Sequence, residues 1–322
     1  MLWQAAELHQ KDESAESRAA SRKDYERYLT LNQHELAAGL EARYRLALIA
    51  KQDGNAAREL ALMKEIQVAE QTGTGEHTDR TRFLGATAAL ALAEPIAESY
   101  RKVALVEPLK KNLKLKKARM EDTLKAYAVA TNYGVAEIST EATFKIASTY
   151  RDFGKALLAS ERPAKLSKAE REQYDVLLEE QAFPFEEKAI EIHEVNAARS
   201  SAGIYDRWVQ ESFTALTELK PARYGKVERE SLIPLPDQQI RAGINFRKAG
   251  QFDKALASYQ DAIARDAKNS VAMLDLGILY DLYLGDSEHA LDMYNAFLNL
   301  HPDGDAEVSK WVREVKSRKP VR

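Results

Sequence analysis

The sequence predicts an all-α protein built as a solenoid of helical hairpins. Three observations carry that prediction: turn-forming residues are scarce, the last third repeats itself with a period of 34 to 35 residues, and apolar stripes at helical spacing run through much of the rest. Of 322 residues only 14 are Gly and 9 are Pro. A sandwich or barrel of this length would need more, because each tight turn wants φ > 0 or a preset φ. With 45% hydrophobic and 30% charged residues, the chain has the balance of a soluble folded protein rather than a fibrous, disordered or membrane-embedded one.

Taken in order, Ser21, Tyr25 and Tyr28 ahead of Leu31-Asn32-Gln33 read as the second helix of a hairpin. Ala42 to Lys51 and Ala56 to Ala69, parted by Asp53-Gly54-Asn55, read as a helix pair, and Thr72-Gly73-Thr74-Gly75 closes that unit. A long stretch from about Asp79 to Asn132 follows, with Pro95 and Pro108 as expected kinks or breaks, since each removes a backbone donor. Thr140 to Leu158 has Phe144, Ala147, Tyr150 and Phe153 on one face, and Ser167-Lys168-Ala169-Glu170 has capping-box spacing, opening a helix toward Gln181. Pro184 to Arg199 and Tyr205 to Glu218 complete the series, the latter with Trp208, Val209, Phe213 and Leu216 as its stripe. Pro221 to Pro236, with three Pro and Gly225, is the expected linker. Leu232, Ile233 and Leu235 are apolar enough that it should still pack.

The repeat is explicit in the last third. Gly243, Phe246, Gly250, Phe252, Ala255, Tyr259 and Ala262 recur as Gly277, Tyr280, Gly285, Ala290 and Tyr294, with Phe297 at the last place. The offset is 34 at the first pair and 35 from the turn onward, which places a one-residue insertion near Leu284. This pattern resembles two consecutive tetratricopeptide repeats. Small residues at Gly243, Ala255, Gly277 and Ala290 let backbones approach, while Phe246, Tyr259, Tyr280 and Tyr294 fill the gaps. Gln239 and Met273 stand where a Trp is common and Ala267 replaces the usual terminal Pro, although Pro302 is in place. Val308, Trp311, Val312 and Val315 form the stripe of a final, capping helix. The expected organisation is degenerate hairpins over 1–78, long-helix hairpins over 79–220, a linker over 221–235, two repeats over 236–302, and a capping helix with basic tail over 303–322.

A second resemblance rests on Tyr100-Arg101-Lys102-Val103-Ala104-Leu105-Val106-Glu107-Pro108-Leu109-Lys110-Lys111-Asn112-Leu113, Tyr150-Arg151-Asp152-Phe153, Ser160-Glu161-Arg162-Pro163 and the run Leu177 to Ile190. These resemble a family of large bacterial envelope proteins with tetratricopeptide repeats, described as components of TonB-like energy-transduction and gliding-motility systems. The resemblance covers roughly Tyr100 to Tyr224. It implies a periplasmic, non-enzymatic scaffold, of which this chain looks like the C-terminal portion; Leu2-Trp3, expected to be exposed with no cap before it, fits that reading.

Several chemistries are excluded or weak. The formal net charge is -3, so no overall basic field draws the chain to nucleic acid. Cysteine is absent, which removes disulfides, thiolate metal sites and thiol nucleophiles. The longest apolar run, Phe83 to Ala93, falls short of the roughly 20 residues that span a bilayer, and the N-terminus lacks signal-peptide order. His193-Glu194 and His34-Glu35 begin like a zinc-protease motif but meet Ala197 and Ala38 where the second His belongs. Thr72-Gly73-Thr74-Gly75 has no following Lys at phosphate-loop spacing. Glu179-Glu180 and Glu186-Glu187 read as solvated helix faces. No cofactor and no metal are expected.

Binding is better specified. The resemblance implies that helix A residues line a concave groove, here Asp237, Ile240, Ile244, Arg247, Lys248, Leu274, Ile278 and Asp281. Families gripping a C-terminal carboxylate carry Lys and Asn where Ile240 and Ile244 stand, so that clamp is missing, and the mixed lining suits an extended or helical peptide. The opposing reading is that these residues pack on Pro221 to Pro236. Lys110, Lys114 and Lys117 share one helical stripe, either a solvated face or a contact for an acidic partner or lipid headgroup. The function expected is a protein-interaction scaffold of the cell envelope, with a cytoplasmic adaptor of the same architecture, or a helical hydrolase using His193, as alternatives.

Overall fold

The computed structural model describes residues 2–10, 14–31, 35–229 and 237–318, with the side chains of Leu2, Gln10 and Asp237 outside that description. Among the described residues the chain is all-α, and it divides into two compact units, Met1–Phe185 and Glu186–Arg322. In the first unit the helices are α1 Leu2–Gln10, α2 Ala15–Leu29, α3 Leu36–Gln52, α4 Ala56–Thr72, α5 Asp79–Arg101, α6 Leu109–Thr131 and α7 Ala136–Leu158. Helix α8, Lys168–Ala197, carries the chain into the second unit, which continues with α9 Arg207–Leu219, α10 Pro221–Tyr224, α11 Asp237–Lys248, α12 Phe252–Arg265, α13 Ser270–Ile278, α14 Ser287–Asn299 and α15 Ala306–Ser317.

Starts of helices are written in short polar side chains. Asn55, Thr78, Asp206, Asn269, Asp286 and Asp305 each accept a hydrogen bond from an N–H of the first turn, satisfying a donor that has no intrahelical partner. Ser167 and Glu170 form the reciprocal capping box, 2.8 Å from Ser167 N to Glu170 Oε2 and 3.4 Å from Glu170 N to Ser167 Oγ. The first unit packs around three apolar clusters, centred on residues such as Leu40, Ile66 and Leu84, on Tyr127 and Ala142, and on Tyr100 and Phe153. Trp3 is half-buried rather than exposed, edge-on to Tyr25 and Tyr28 at 5.5 Å each.

Neither Pro95, expected to kink or break its helix, nor Pro184, where a new helix was expected to start, ends a helix. Pro95 lies inside α5 and Pro184 inside α8, so the two helices expected over 167–181 and 184–199 are one of 30 residues. Both prolines are on exposed positions, where the carbonyl four residues back can turn to water instead of losing its partner in a dry core. Pro108 behaves as expected, standing immediately before α6. The segment expected to be a linker is structured in its first half: α10 occupies 221–224 and Tyr224 is buried. Leu232, Ile233 and Leu235 lie outside the described residues, as do Asn32, Gln33 and His34.

In the second unit α11–α12 and α13–α14 are the two repeat hairpins and α15 covers the last. The two repeats pack around paired cores that hold Ile240, Ala255 and Tyr259 in one, and Leu274, Ala290, Tyr294 and Trp311 in the other. A methyl on Gly243 would overlap the Tyr259 ring, and one on Gly277 would overlap Tyr294, so small faces large at equivalent places in both hairpins. Phe246 and Tyr280 are half-buried beside these cores, and Pro302 is exposed just after α14. The extra residue of the second repeat is not in its turn. It is absorbed by a π-helical stretch, Leu279–Leu284, that ends at Gly285 with φ 70°. A one-residue insertion that stays helical must widen a turn to i→i+5 bonding, and such widened turns re-aim the side chains they carry.

Candidate functional site

The face made by α11 and α13 is where the sequence places a groove. The structure buries most of it. Ile240 and Leu274 belong to the two cores, while Ile244 and Ile278 floor a small cavity of about 260 Å³ also lined by Lys226, Val227, Glu228, Arg247, Lys248 and Tyr283. Of the groove residues whose side chains are described, only Lys248 is exposed, and the side chain of Asp237 lies outside the described residues. The groove is therefore not open along its length. The chain's own stretch Lys226–Arg229, just past α10, lies on it.

Charge pairing holds that stretch. Lys226, its side chain 1% exposed, gives its ammonium to Asp281, itself 0% exposed, and to Glu314 Oε2 at 3.0 Å. Asp281 also accepts from Arg318 and, at 3.2 Å, from the Tyr294 hydroxyl. Two carboxylates thus face two cations, the balance that buried ions require. One repeat earlier the signs reverse: Glu228 of the stretch takes the Arg247 guanidinium, Nε to Oε2 3.1 Å, and the Tyr259 hydroxyl at 2.8 Å. Arg247 and Asp281 are 34 residues apart and Tyr259 and Tyr294 are 35 apart, so equivalent positions of the two repeats read opposite charges on one extended segment. Arg229 closes the contact, its N–H donating to Asp275 Oδ1 at 2.9 Å and its guanidinium to Asp305 at 2.8 Å and Glu307 at 3.1 Å. Burial, with the Glu228 charge adding to it, raises the Asp275 carboxyl well above the usual range against the opposing pull of the Arg229 N–H and of Arg247 and Arg229. Its Oδ2 is buried without a hydrogen-bond partner among the described residues.

The π-helical stretch supplies two of these parts. Asp281 sits within it, and Tyr283 stands among Tyr205, Phe213 and Phe252 with the Arg247 guanidinium 5.3 Å from its ring centre. Burial pushes the Tyr283 hydroxyl up to about 12, against the opposing Arg247 charge. Ser200 Oγ donates to the Tyr283 carbonyl at 2.9 Å, tying the widened turn to the end of α8. Beyond it opens a cleft of about 950 Å³ lined among others by Glu194, Arg223, Asp281 and Arg318. Its charges are already paired, Glu194 Oε1 with Lys220, Arg223 and Tyr224 at 2.9 to 3.2 Å.

The remaining sequence candidates fall elsewhere. His193 is buried, its Nδ1 3.3 Å from Ser212 Oγ, and Ser212 in turn donates to the Trp208 carbonyl at 2.9 Å. Because Ser212 gives its one hydroxyl proton to that carbonyl and accepts from Asn196 Nδ2 at 2.9 Å, it is not poised as a nucleophile against His193; both residues are buried and neither lines the cleft. Among the described residues no three His, Asp or Glu are grouped to hold a metal ion, and no helix is long and apolar enough to cross a membrane. Gly73 and Gly75 press on the Leu36 side chain, which gives the Thr72–Gly75 turn a packing role. Glu179, Glu180, Glu186 and Glu187 are exposed.

On α6, Lys110, Lys111, Lys114 and Lys117 are exposed and form no ion pair with a described residue. Lys116 leaves them: it is buried, donates to the Val103 carbonyl at 2.9 Å, and lies 4.3 Å from the Tyr100 ring centre. Burial lowers its pKa against the opposing charge of Asp152.

The residues that sequence reading missed are Lys226, Glu228, Arg229, Asp275, Glu314 and Arg318. For Lys226, Glu228 and Arg229 the signal was the pattern of charge in Lys226-Val227-Glu228-Arg229 beside a repeat whose equivalent positions carry Arg247 and Asp281; Asp275, Glu314 and Arg318 lie outside that pattern.

A family model described as tetratricopeptide repeat matches residues 271–304, the second hairpin with its π-helical stretch. Among solved structures, the crystal structure of the P58(IPK) TPR domain is similar at 12% identity and a TM-score of 0.23, covering 98% of this chain and 97% of that one. No curated protein matches this chain.

Proposed function

We propose that this chain, with its tetratricopeptide repeat at 271–304, is a non-enzymatic scaffold that holds partner proteins, and that it works in the bacterial cell envelope. The observation that carries the binding function is the α11–α13 face itself, which already holds an extended segment by paired charges and so has the chemistry to hold a peptide. The envelope setting, with a TonB-like or gliding-motility complex as the partner, is supported by the resemblance over Tyr100 to Tyr224. A second contact face is favoured by the four exposed lysines of α6, cations that pair with no described carboxylate on a chain of net negative charge.

The test uses the purified chain as bait in a crosslinked envelope extract, with bound proteins identified by mass spectrometry. Ile244→Glu or Ile278→Glu would bury a charge and unfold the repeat, so the groove control is Lys248→Glu and the α6 control is Lys110→Glu with Lys114→Glu and Lys117→Glu. Capture of envelope proteins that is lost in one control supports the scaffold and names its face. Capture confined to cytoplasmic proteins would overturn the envelope reading, and no specific capture would overturn the scaffold.

A further inference from the structure

The stretch Lys226–Arg229 sits on the groove in the manner of a ligand. Val227 points outward and is 71% exposed, so no apolar side chain of the stretch anchors it. The inward residues are charged: Lys226 on Asp281 and Glu314, Glu228 on Arg247 and Tyr259. Ionic contacts of this kind stabilise a fold no better than apolar residues of the same volume, and their best-attested use is to specify a register or a switch. The stretch also fills its site incompletely. A cavity of about 260 Å³ remains beside Val227 over Ile244 and Ile278, and Asp275 Oδ2 has no hydrogen-bond partner among the described residues.

We propose that Lys226–Arg229 is an internal ligand that closes the groove of the two repeats, and that the ligand taken in trans is an extended partner segment with the same order: cation, exposed residue, acid, cation. The proposal rests on the reading of this face as a peptide-binding surface and adds to it the chemistry of the partner and the means of regulation. Selection comes from sign. Asp281 in the second repeat requires the leading cation and Arg247 in the first requires the acid, so a segment with the two exchanged meets like charges at both places, a repulsive discrimination as well as an attractive one. Control comes from tethering. A segment joined to the groove at its own end competes at an effective concentration in the millimolar range, so a partner must be presented at high local concentration or arrive with a second contact.

The experiment measures fluorescence anisotropy of a labelled peptide, Tyr-Gly-Lys-Val-Glu-Arg, the order of residues 224–229, against the unmodified chain and against Lys226→Ala/Glu228→Ala, in which the internal stretch has lost both inward charges. Circular dichroism and a thermal melt establish that the variant is folded. The expected result is at least tenfold tighter binding to the variant than to the unmodified chain, abolished by adding Asp281→Asn, and absent for the peptide with Lys and Glu exchanged. A folded variant that ignores the peptide, or binds both peptides alike, would overturn the proposal.

Hydrogen exchange on the unmodified chain decides it independently of any variant. An internal ligand releases the Arg229 N–H by local opening, with exchange nearly independent of low denaturant, while the amides of α12 and α14 exchange only on global unfolding. If the Arg229 amide shares the full denaturant dependence of those helices, the stretch is a permanent part of the fold and the proposal fails. Failure here with specific capture in the envelope extract would leave the scaffold intact; peptide binding without any capture would do the reverse.

Discussion

Lys226→Met keeps most of the aliphatic stem and deletes one buried charge. In the native chain that ammonium serves both Asp281 and Glu314 with its side chain 1% exposed. Removing one partner of a buried ion pair costs roughly 3–5 kcal/mol, because the other charge stays buried and uncompensated. Here Asp281 retains Arg318 and the Tyr294 hydroxyl, and Glu314 retains Arg318, so the loss should fall to about 2–3 kcal/mol. For a unit of this size that corresponds to a drop in melting temperature of roughly 5–10 °C. Tryptophan fluorescence reports it well, since Trp208 and Trp311 belong to the second unit and Trp311 lies 5.8 Å from the Tyr294 ring. Asp281→Asn completes a double-mutant cycle: the double variant should be less destabilised than the sum of the singles by about 1 kcal/mol or more. A Lys226→Met chain melting within about 1 °C of the unmodified one, or strictly additive variants, would refute the claim that this pair holds the stretch in place.

Three further outcomes follow from the same physics. Asp275→Asn should stabilise the chain at pH 8 and make little difference near pH 4: a carboxyl whose folded pKa is raised contributes stability that is full below its unfolded pKa and is lost as pH rises through the folded value, and a pH series of thermal melts reads the gap directly. Gly277→Ala should cost about 1–3 kcal/mol by forcing a methyl into the Tyr294 ring, measured by urea denaturation, with an unchanged midpoint showing that the hairpin is looser than described. Replacing Lys110, Lys114 and Lys117 together by Glu should leave the melting temperature unchanged or slightly higher, because an anion in place of Lys110 in the first turn of α6 favours the helix dipole while the stripe keeps like charges at the same spacings; a clear loss of stability would mean these lysines hold the fold.

Much of the architecture was legible because it is local. Helix starts were written in side chains that reach an N–H two or three residues on, as at Ser167 with Glu170. The repeat was written in Gly243 against Tyr259 and Gly277 against Tyr294, where a missing Cβ and a large ring must alternate for two helices to touch. That helices run on through Pro95 and Pro184 was not legible, because the penalty for a proline inside a helix depends on whether the freed carbonyl meets water, a property of the packed molecule. The one-residue insertion was countable, but its placement was not: a longer turn and a π-helical stretch have the same length, and packing chose the second, putting Asp281 and Tyr283 where they stand.

The state of the groove was decided by tertiary structure alone. The sequence names a face of Ile240, Ile244, Leu274 and Ile278 that either stands open or packs on Pro221 to Pro236, and it does not single out the charged residues of 226–229 that lie on it. Lys226 reaches Asp281 across 55 residues and Glu314 across 88. Periodicity encodes what neighbours along a helix do, since their spacing is set by the backbone. It carries no record of which distant charge will neutralise a buried one, because that choice is made by desolvation, when Asp281 leaves water and must find its cations among whatever the fold has brought near.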